Sequence, residues 1–527
     1  MNKVTFLPVA SALVKALALV LALAMIVSLI NGCSRDKTGT GDSGLDAVPG
    51  TDDEIVELVM QYPTTGSTPQ DLKLVQDAVN ARTVPEIGVR ITFYPVSTTE
   101  LSLSANMMLS LGEQLDIVML GLGNANLGEY VNKGILAVLD ALVDEYGQSI
   151  VEAEGIAMSG GYFGGKLYAL PSVGKLGRVR ALLCRRDILD KYAIAVIPDH
   201  IYSTKELGEI FSVVKAGERD GFYCLALGLN GNVFYSNFNI FDRLGSSLAS
   251  GCLMNYGYDT TEIVNYYATD EFEQICRTIR EWYLSGYLNP ECNTIVDIPS
   301  SQMQSGDYFS FFDNAEPDMI ASLNMLMRGH MDTGLVPLFT SYPYAVTQNF
   351  RVSMCSITSS CAYPVHAMRW LNMLWSDEGI CNLLAYGIEG QHYEFVADSS
   401  RVIRYPDDAP PSVSSYESVL SVWGNKSKLY IVEPLDETYY EALDDFNNSI
   451  LPEHTSGALG YCFDFSPVRD QYSAVSEVIG TYERSLRLGI LDLDAALPDF
   501  LAALEAAGID EVIAENQRQF DSWKAAQ

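Results

Sequence analysis

The sequence predicts an α/β protein of two lobes joined by an extended crossing segment. Three observations predict this fold. Residues 54–120 alternate strand and helix patterns in the order β-α-β-α-β, which is typical of parallel strands with crossover helices. A second α/β run begins at residue 204, and residues 333–339 are expected to return to the first lobe. A chain of 527 residues is long enough for two to four folding units.

The elements of the first lobe follow from short-range apolar periodicity. Residues 54–60 (EIVELVM) alternate and are rich in β-branched side chains, which indicates a strand. The other predicted elements are a loop over 61–68, amphipathic helices over 69–81 and 99–110, and strands over 89–96 and 115–120.

The remaining elements are predicted in the same way. Residues 167–171 (LYALP) are read as an extended segment that crosses between the lobes, with the hinge at 168–171. Strands are predicted over 179–184 and 308–312, and helices over 187–192, 272–284, 364–384, 473–488, 498–507 and 511–523.

The composition is that of a globular, strongly acidic protein. Hydrophobic residues make up 48% of the chain, and 33 Lys and Arg stand against 67 Asp and Glu, for a net charge of −34. This charge argues against nucleic-acid binding, which requires a surface that neutralises phosphates. It also disfavours a large polyanionic ligand, unless a local basic cleft overrides it.

The N-terminus predicts export. Lys3 and Lys15 precede an apolar run over 16–30, which is typical of a secretory signal. The run ends in Ile30-Asn31-Gly32-Cys33-Ser34, which resembles the lipobox of bacterial lipoproteins and implies lipidation of Cys33 after cleavage. The alternative is an uncleaved transmembrane anchor over 4–30. Residues 34–53, rich in Gly, Ser, Thr and Asp, are read as a flexible tether.

Motifs for catalysis, metals or cofactors are weak or missing. The nine cysteines beyond Cys33 form no CxxC pair and are expected to be mainly buried thiols, with some disulfides left open. The run over 121–126 (GLGNAN) lacks the third glycine of a dinucleotide fingerprint. The five histidines show no zinc-binding spacing, and no GxSxG elbow occurs. No cofactor, metal site or catalytic residue is predicted, and His392 is interpreted as a structural hydrogen-bonding residue.

Several runs carry a family resemblance. Residues 165–171 (GKLYALP) and 185–192 (RRDILDKY) are similar to segments of the family 1 solute-binding lipoproteins of ABC importers. Residues 383–393 (LLAYGIEGQHY) and 463–468 (FDFSPV) resemble motifs of a large subfamily linked to complex-carbohydrate uptake, which ends in a C-terminal domain of unknown function. The resemblance implies a periplasmic-binding-protein-like fold, in which a hinge joins the two α/β lobes and a ligand cleft lies between them. It also implies no enzymatic activity, and ABC permease subunits as partners.

The resemblance also implies a domain order. We expect a lipoprotein signal peptide over 1–32, the lipidated cysteine and tether over 33–53, and lobe I over 54–172. Lobe II is expected over 173–332, a return to lobe I over 333–395, and a C-terminal family-specific region over 396–527.

The predicted function is capture of an extracellular solute, expected to be an oligosaccharide, by a monomer anchored at the extracytoplasmic face of the cell membrane. A peptide or another small polar solute is an alternative ligand. A surface sensor or adhesion protein, and an exported carbohydrate-active enzyme, are alternative functions.

The predicted site consists of aromatic, amide and acidic side chains near strand ends, where α/β lobes gather ligands. Aromatic rings stack on sugar faces and polar groups bind hydroxyls, so Tyr62 is expected to stack, while Asn124 and Asp313 bind hydroxyls. Any one of these residues could instead pack within its own lobe. The predicted ligand-binding residues are Tyr62, Thr64, Thr65, Gly121, Asn124, Tyr168, Asn230, Asp313, Asn314 and Trp423.

Overall fold

Fourteen strands are present in the part of the chain that the computed structural model describes, namely residues 55–122, 125–230, 234–327, 334–406, 415–416, 418 and 424–527. They form two main sheets and two small ones. The strands are β1 (Val56–Thr64), β2 (Val89–Ser97), β3 (Ile117–Leu120), β4 (Tyr162–Phe163), β5 (Lys166–Leu167), β6 (Leu170–Pro171), β7 (Arg180–Arg185), β8 (Tyr223–Leu225), β9 (Tyr308–Asn314), β10 (Leu335–Phe339), β11 (Met354–Ile357), β12 (Glu394–Phe395), β13 (Val402–Arg404) and β14 (Ile431–Val432).

The α-helices of the described residues run between and after these strands. They are α1 (Leu72–Ile87), α2 (Leu101–Leu111), α3 (Leu127–Asn132), α4 (Asp140–Tyr146), α5 (Gln148–Glu154), α6 (Arg186–Lys191), α7 (Thr204–Gly217), α8 (Asp270–Leu284), α9 (Pro299–Gln302), α10 (Pro317–Leu326), α11 (Pro364–Ser376), α12 (Glu378–Tyr386), α13 (Tyr439–Asn448), α14 (Arg469–Arg487), α15 (Leu493–Ala506) and α16 (Ile509–Ala525).

Lobe I is built on a five-stranded sheet in the order β2-β1-β3-β11-β6. β1 pairs in parallel with β2 and β3, as the β-α-β-α-β pattern predicts, whereas β11 returns antiparallel to β3. α1 ends at Gly88, whose φ of 67° is the left-handed conformation that glycine adopts readily. The core of this lobe includes the fully buried Trp370 and Trp375 of α11.

Lobe II is built on a four-stranded sheet in the order β10-β7-β9-β8. β9 is antiparallel to β7 and parallel to β8, so this sheet is mixed. α7 begins with a capping box in which Ser203 and Glu206 satisfy each other's backbone N–H groups. The lobe has apolar clusters that include Phe211 and Phe309 in one and Phe311 in another.

Two chain segments, residues 172–179 and 340–353, join the two sheets, and we call them the hinge segments. They pair with each other, since Arg178 and Tyr344 exchange two backbone hydrogen bonds of 2.9 Å. A Cβ on Gly177 would lie 2.3 Å from the Tyr344 carbonyl oxygen, which only a glycine avoids.

This arrangement corrects two predicted boundaries. The residues read as the hinge, 168–171, contain β6, which pairs with β11 inside the lobe I sheet, so the crossing begins at Ser172. Residues 333–339 were expected in lobe I, but β10 pairs antiparallel with β7 in lobe II, with Leu335 opposite Arg185. The return to lobe I therefore starts with the second hinge segment.

The cysteines and helices bear on two further expectations. Cys361 is half-buried, the other eight of the nine cysteines beyond Cys33 are buried, and all nine are free thiols, as predicted for most of them. Burial raises the pKa of several of these thiols, that of Cys381 to about 11. Within the described part of the chain, no helix combines the length and apolar character that crossing a bilayer requires.

Candidate ligand-binding cleft

Three adjoining cavities lie where the two lobes meet the hinge segments. The first, cavity A, has about 420 Å³ and is lined by Gly121 and Asn126 of lobe I, Arg243 and Ser246 of lobe II, and Arg351 of the hinge. Because both lobes supply its walls, a solute bound here contacts both of them. This is the geometry that a two-lobed binding protein needs to couple binding to closure.

Cavity B extends cavity A along lobe II. It has about 290 Å³, and Arg180, Phe241, Tyr344 and Gln348 are among its walls. The two cavities share Arg243, Gln348 and Val352.

Cavity C adjoins cavities A and B at Val352, which lines all three cavities and is 39% exposed. It has about 600 Å³ and is lined by α10 of lobe II, the first hinge segment and the segment around β14. Its aromatic lining residues are Tyr386, Tyr405, Tyr430, Tyr439 and Tyr440. We call cavities A, B and C together the cleft.

A fourth cavity, of about 670 Å³, is larger but differs in its walls. It is lined by α5, the end of α11, the first hinge segment and α13, and no lobe II residue between 180 and 339 contributes. A ligand there would contact lobe I, the first hinge segment and α13, but no residue of the lobe II sheet. We therefore place the candidate site in the cleft.

One predicted residue lines the cleft, and a second lies beside it. Gly121 lines cavity A, has a φ of 79°, and packs so closely on the hinge that a Cβ would lie 2.2 Å from the Arg351 carbonyl oxygen. Asn314 stands opposite Arg180 in the β9–β7 pair, so the two side chains share a face of the sheet beside cavity B. Its side-chain Oδ1 is buried without a hydrogen-bond donor among the described residues.

Tyr62 does not lie at the cleft. β1 continues through Thr64 rather than ending at Met60, and Tyr62 is 0% exposed in the lobe I core. Its ring packs 5.4 Å from Phe93, and its hydroxyl lies 2.8 Å from that of Tyr416. This placement corrects the predicted stacking role, because a ring buried on all sides is not available to a sugar.

The other predicted residues that the structure describes line none of the three cavities. Thr64 is buried, Thr65 is exposed, and Tyr168 is half-buried against the lobe I core. Asn230 donates to the Val296 carbonyl at 2.5 Å, and Asp313 accepts from the Asn314 backbone N–H at 2.7 Å.

Asn124, Trp423 and Cys33 lie outside the described residues, so their predicted roles stay predictions.

His392 is 1% exposed; its Nδ1 accepts from the Ile388 N–H at 2.9 Å and its Nε2 lies 3.1 Å from Asp71. Its predicted structural role agrees with these contacts.

The residues that the sequence did not single out are the tyrosines of cavity C and the arginines of cavities A and B. Both sets come from distant parts of the chain and meet only in the folded state. One signal was present, since tyrosines cluster between residues 386 and 440.

The described part of the hinge also carries a buried ion cluster. Glu316 is 0% exposed, accepts a hydrogen bond from the Val179 N–H, and lies 3.5 Å from Lys175 and 3.6 Å from Arg178. Lys175 also binds Asp318 at 2.8 Å. The described residues contain no group of three or more His, Cys, Asp or Glu side chains placed to hold a metal ion.

Comparisons with known proteins agree with this architecture. Residues 457–525 match the family model of a domain of unknown function, DUF3502. A carbohydrate ABC transporter substrate-binding protein of Streptococcus pneumoniae serotype 4 is 22% identical over 471 residues, covering 88% of this chain and 91% of the relative.

Solved structures show the same fold over most of the chain. The N-glycan transport solute binding protein NgtS of S. pneumoniae superposes with a TM-score of 0.74 at 21% identity, covering 88% of this chain and 98% of that one. The S. pneumoniae substrate-binding protein FusA in complex with kestose gives a TM-score of 0.60 at 14% identity, with coverage of 90% and 100%.

The chain has the fold of the ABC-transporter solute-binding proteins. The predicted α/β architecture with two lobes is confirmed, and so are the resemblance to this group and the C-terminal domain of unknown function. In the structure, this domain comprises α14, α15, α16 and the segment that precedes them.

Proposed function

We propose that this chain is the substrate-binding protein of an ABC transporter, which captures an oligosaccharide outside the cell and delivers it to the membrane permease. The observation that carries the proposal is cavity A, whose walls come from both lobes and from the hinge. A solute held there stabilises the closed arrangement over the open one, and a closed arrangement is what a permease can recognise.

An oligosaccharide suits the cleft better than an amino acid or a metal ion. Sugars offer apolar C–H faces ringed by hydroxyls, which bind to aromatic rings and to side chains with hydrogen-bonding groups. Cavity C supplies the rings, Tyr405 and Tyr439 being half-buried, and cavities A and B supply amides and guanidinium groups. The matched proteins are named for carbohydrate or N-glycan transport, which supports the same class.

The proposal includes a lipid anchor at Cys33 and no catalytic step. The anchor rests on the signal-like apolar run that ends at this cysteine, and the protein then acts as a monomer at the extracytoplasmic face of the membrane. The matched relatives are binding proteins, which supports a role without covalent chemistry.

The ligand is tested by thermal shift and calorimetry on a panel of oligosaccharides, peptides and amino acids. We expect oligosaccharides to raise Tm. Tyr439→Ala should weaken the best one by about tenfold, because a stacked ring contributes roughly 1 kcal/mol beyond its buried area. Tyr258→Ala is the matched control, since Tyr258 is 40% exposed and lines none of the three cavities.

Other results would replace the proposal. Stabilisation by peptides alone would contradict the carbohydrate class. Release of reducing sugar from an oligosaccharide would indicate an enzyme. If the protein binds an oligosaccharide tightly but cells that lack the protein still take it up normally, the protein is a sensor or adhesion protein.

The anchor is tested by metabolic labelling with a fatty acid. Cys33→Ala should abolish the label and release the protein from the membrane, whereas Cys361→Ala should change neither. Labelling that persists in Cys33→Ala would contradict the anchor, and a retained N-terminus would favour a transmembrane segment.

A further inference from the structure

The charge that lines cavities A and B is opposite to that of the molecule. The chain has a net charge of −34, yet Arg180 and Arg243 line cavity B, and Arg243 and Arg351 line cavity A. Among the described residues, no aspartate or glutamate lines either cavity. In a chain with twice as many acidic as basic residues, such a wall is a local excess of positive charge.

These three arginines differ from others of the protein in their partners. Arg185, Arg219 and Arg277 each bind a carboxylate, and Arg178 of the cleft lies near Glu316. Arg180, Arg243 and Arg351 form no ion pair with any described residue.

Neutral groups hold the three arginines in place. Arg180 donates from Nε to the Tyr344 hydroxyl at 3.2 Å, and Arg351 donates from Nη2 to the Tyr162 and Tyr461 carbonyls at 3.1 and 3.3 Å. With the Gln348 amide oriented so that its oxygen faces Arg243, this oxygen accepts from Arg243 Nε at 2.9 Å. The guanidinium groups are therefore oriented, but their charge is not neutralised.

Asp242, next to Arg243 in sequence, does not supply the missing charge. Its side chain is 0% exposed, and its two oxygens accept hydrogen bonds from the Leu244 N–H and from the N–H and hydroxyl of Thr347. This carboxylate fixes the loop before the hinge and makes no ion pair with Arg243.

Two of the arginines also have buried donors without acceptors. Arg180 Nη1 and Arg351 Nε are shielded from solvent and find no acceptor among the described residues. A buried N–H of a charged group that lacks a partner costs more than a neutral one, so both guanidinium groups keep hydrogen-bonding capacity that no described residue uses. Guanidinium groups bind carboxylate and sulfate oxygens with paired, charge-assisted hydrogen bonds.

We propose that the oligosaccharide bound in the cleft is acidic, and that Arg180, Arg243 and Arg351 bind its carboxylate or sulfate groups in cavities A and B. This inference rests on the proposed function and specifies its substrate class. The acidic surface of the rest of the molecule opposes an anionic ligand, and the positive charge of cavities A and B is the local exception.

The test compares acidic and neutral oligosaccharides of the same length by calorimetry on the full-length protein. The probes are trigalacturonic acid for carboxylates, neocarrabiose 4-sulfate, a disaccharide with no carboxylate, for sulfates, and cellotriose and cellobiose as neutral partners. We expect at least one acidic probe to bind at least tenfold more tightly than its neutral partner, and this preference to shrink between 50 and 500 mM NaCl. The stronger acidic probe identifies the anionic group.

Variants locate the effect. Arg180→Gln and Arg243→Gln should each weaken the acidic probe by about tenfold or more and leave the neutral probe within about twofold. Arg277→Gln, an exposed arginine on α8, is the control and should change neither affinity. If a variant does not fold, the salt dependence of the unmodified protein decides the matter.

The outcomes separate this inference from the proposed function. Neutral oligosaccharides that bind as tightly as acidic ones, with no salt dependence, would overturn the acidic class and leave the transport function standing. Binding of peptides in place of any oligosaccharide would overturn both.

Discussion

Gly121 lies where lobe I touches the hinge, and its lack of a side chain allows the contact. Its backbone is left-handed, and a Cβ would lie 2.2 Å from the Arg351 carbonyl oxygen. The glycine therefore permits close approach of the hinge backbone. From the sequence, Gly121 was predicted to contact a ligand.

Gly121→Ala should destabilise the protein by roughly 3 kcal/mol or more, since it adds a steric overlap to the cost of a left-handed alanine. Gly112→Ala is the matched control, because Gly112 has a φ of 72° but nothing within 4 Å of its Cβ position. Chemical denaturation measures both. Equal losses in the two variants would show that the contact with Arg351 contributes nothing.

Glu154 is a buried acid that anchors the first hinge segment. It is 3% exposed and accepts hydrogen bonds from the Trp375 indole N–H at 2.7 Å and from the Val173 N–H at 2.9 Å. Burial raises the pKa of Glu154 to about 7, although these hydrogen bonds and the charge of Lys426 oppose the shift.

A raised carboxyl pKa makes stability depend on pH in a defined direction. The folded protein holds this proton more tightly than the unfolded chain, so the free energy of unfolding falls as pH rises from about 4.5 to about 7. The loss is of the order of 3 kcal/mol. Glu154→Gln should remove this part of the pH dependence, whereas Glu152→Gln, exposed on the same helix, should keep it. An unchanged pH profile in Glu154→Gln would contradict the assignment.

The residues of the site show where prediction from sequence stops. Loops after strands were predicted to carry the ligand, and this located Gly121 at the cleft. Tyr62 was misplaced because Pro63 suggested a loop, whereas β1 continues past it. Proline has no backbone N–H to donate, and it is tolerated there because β1 pairs with β3 at Met60, before the proline. Beyond that point, the Gln61 side chain accepts the hydrogen bond from the Met119 N–H of β3.

At the scale of elements, the C-terminal helices connect both lobes. Asn132 of α3 donates to Asp464 at 2.8 Å and to Ser466 at 2.9 Å, which joins lobe I to the C-terminal domain. On the lobe II side, Asn516 of α16 donates to the Ser250 carbonyl at 2.7 Å. The domain is thus packed as a brace beside the hinge.

Asn516→Ala should destabilise the protein by about 2–3 kcal/mol. Asn516 is 0% exposed and accepts from the Tyr461 hydroxyl at 2.8 Å. Its removal leaves the buried Ser250 carbonyl without its partner and the Tyr461 hydroxyl with only the Asn516 backbone carbonyl, at 3.1 Å. Arg518→Ala, on the exposed side of α16, should cost under about 1 kcal/mol. Thermal and denaturant unfolding compare the two, and a similar loss in both would contradict a bracing role for Asn516.

Most single elements were predictable from sequence, but their partners were not. The helix predicted over 272–284 is α8, and the C-terminal helices lie close to their predicted bounds. β10 was assigned to the wrong lobe because its apolar sequence (LVPLF) fits either sheet, and its pairing with β7 joins residues about 150 positions apart. Local periodicity identifies a strand but not the sheet that contains it.

At the scale of the whole molecule, the fold keeps the apolar cores, which lie in the lobes, apart from the cleft, which lies on the hinge segments. Each lobe has its own apolar core, and two short hinge segments join their sheets. The cleft lies on these segments, since Val352 lines all three cavities. Rotation about the hinge therefore changes the cleft while leaving both cores intact.

A saturating ligand should close the lobes and stabilise the whole protein. At about 100 times Kd, mass action predicts an increase of about 2.7 kcal/mol in the free energy of unfolding. Closure predicts a smaller radius of gyration in small-angle X-ray scattering, because contacts with both walls of cavity A favour the closed state. A sugar that fails to bind in calorimetry serves as the control and should change neither quantity. Full stabilisation with an unchanged radius of gyration would mean that the cleft binds its solute as a rigid site, without hinge rotation.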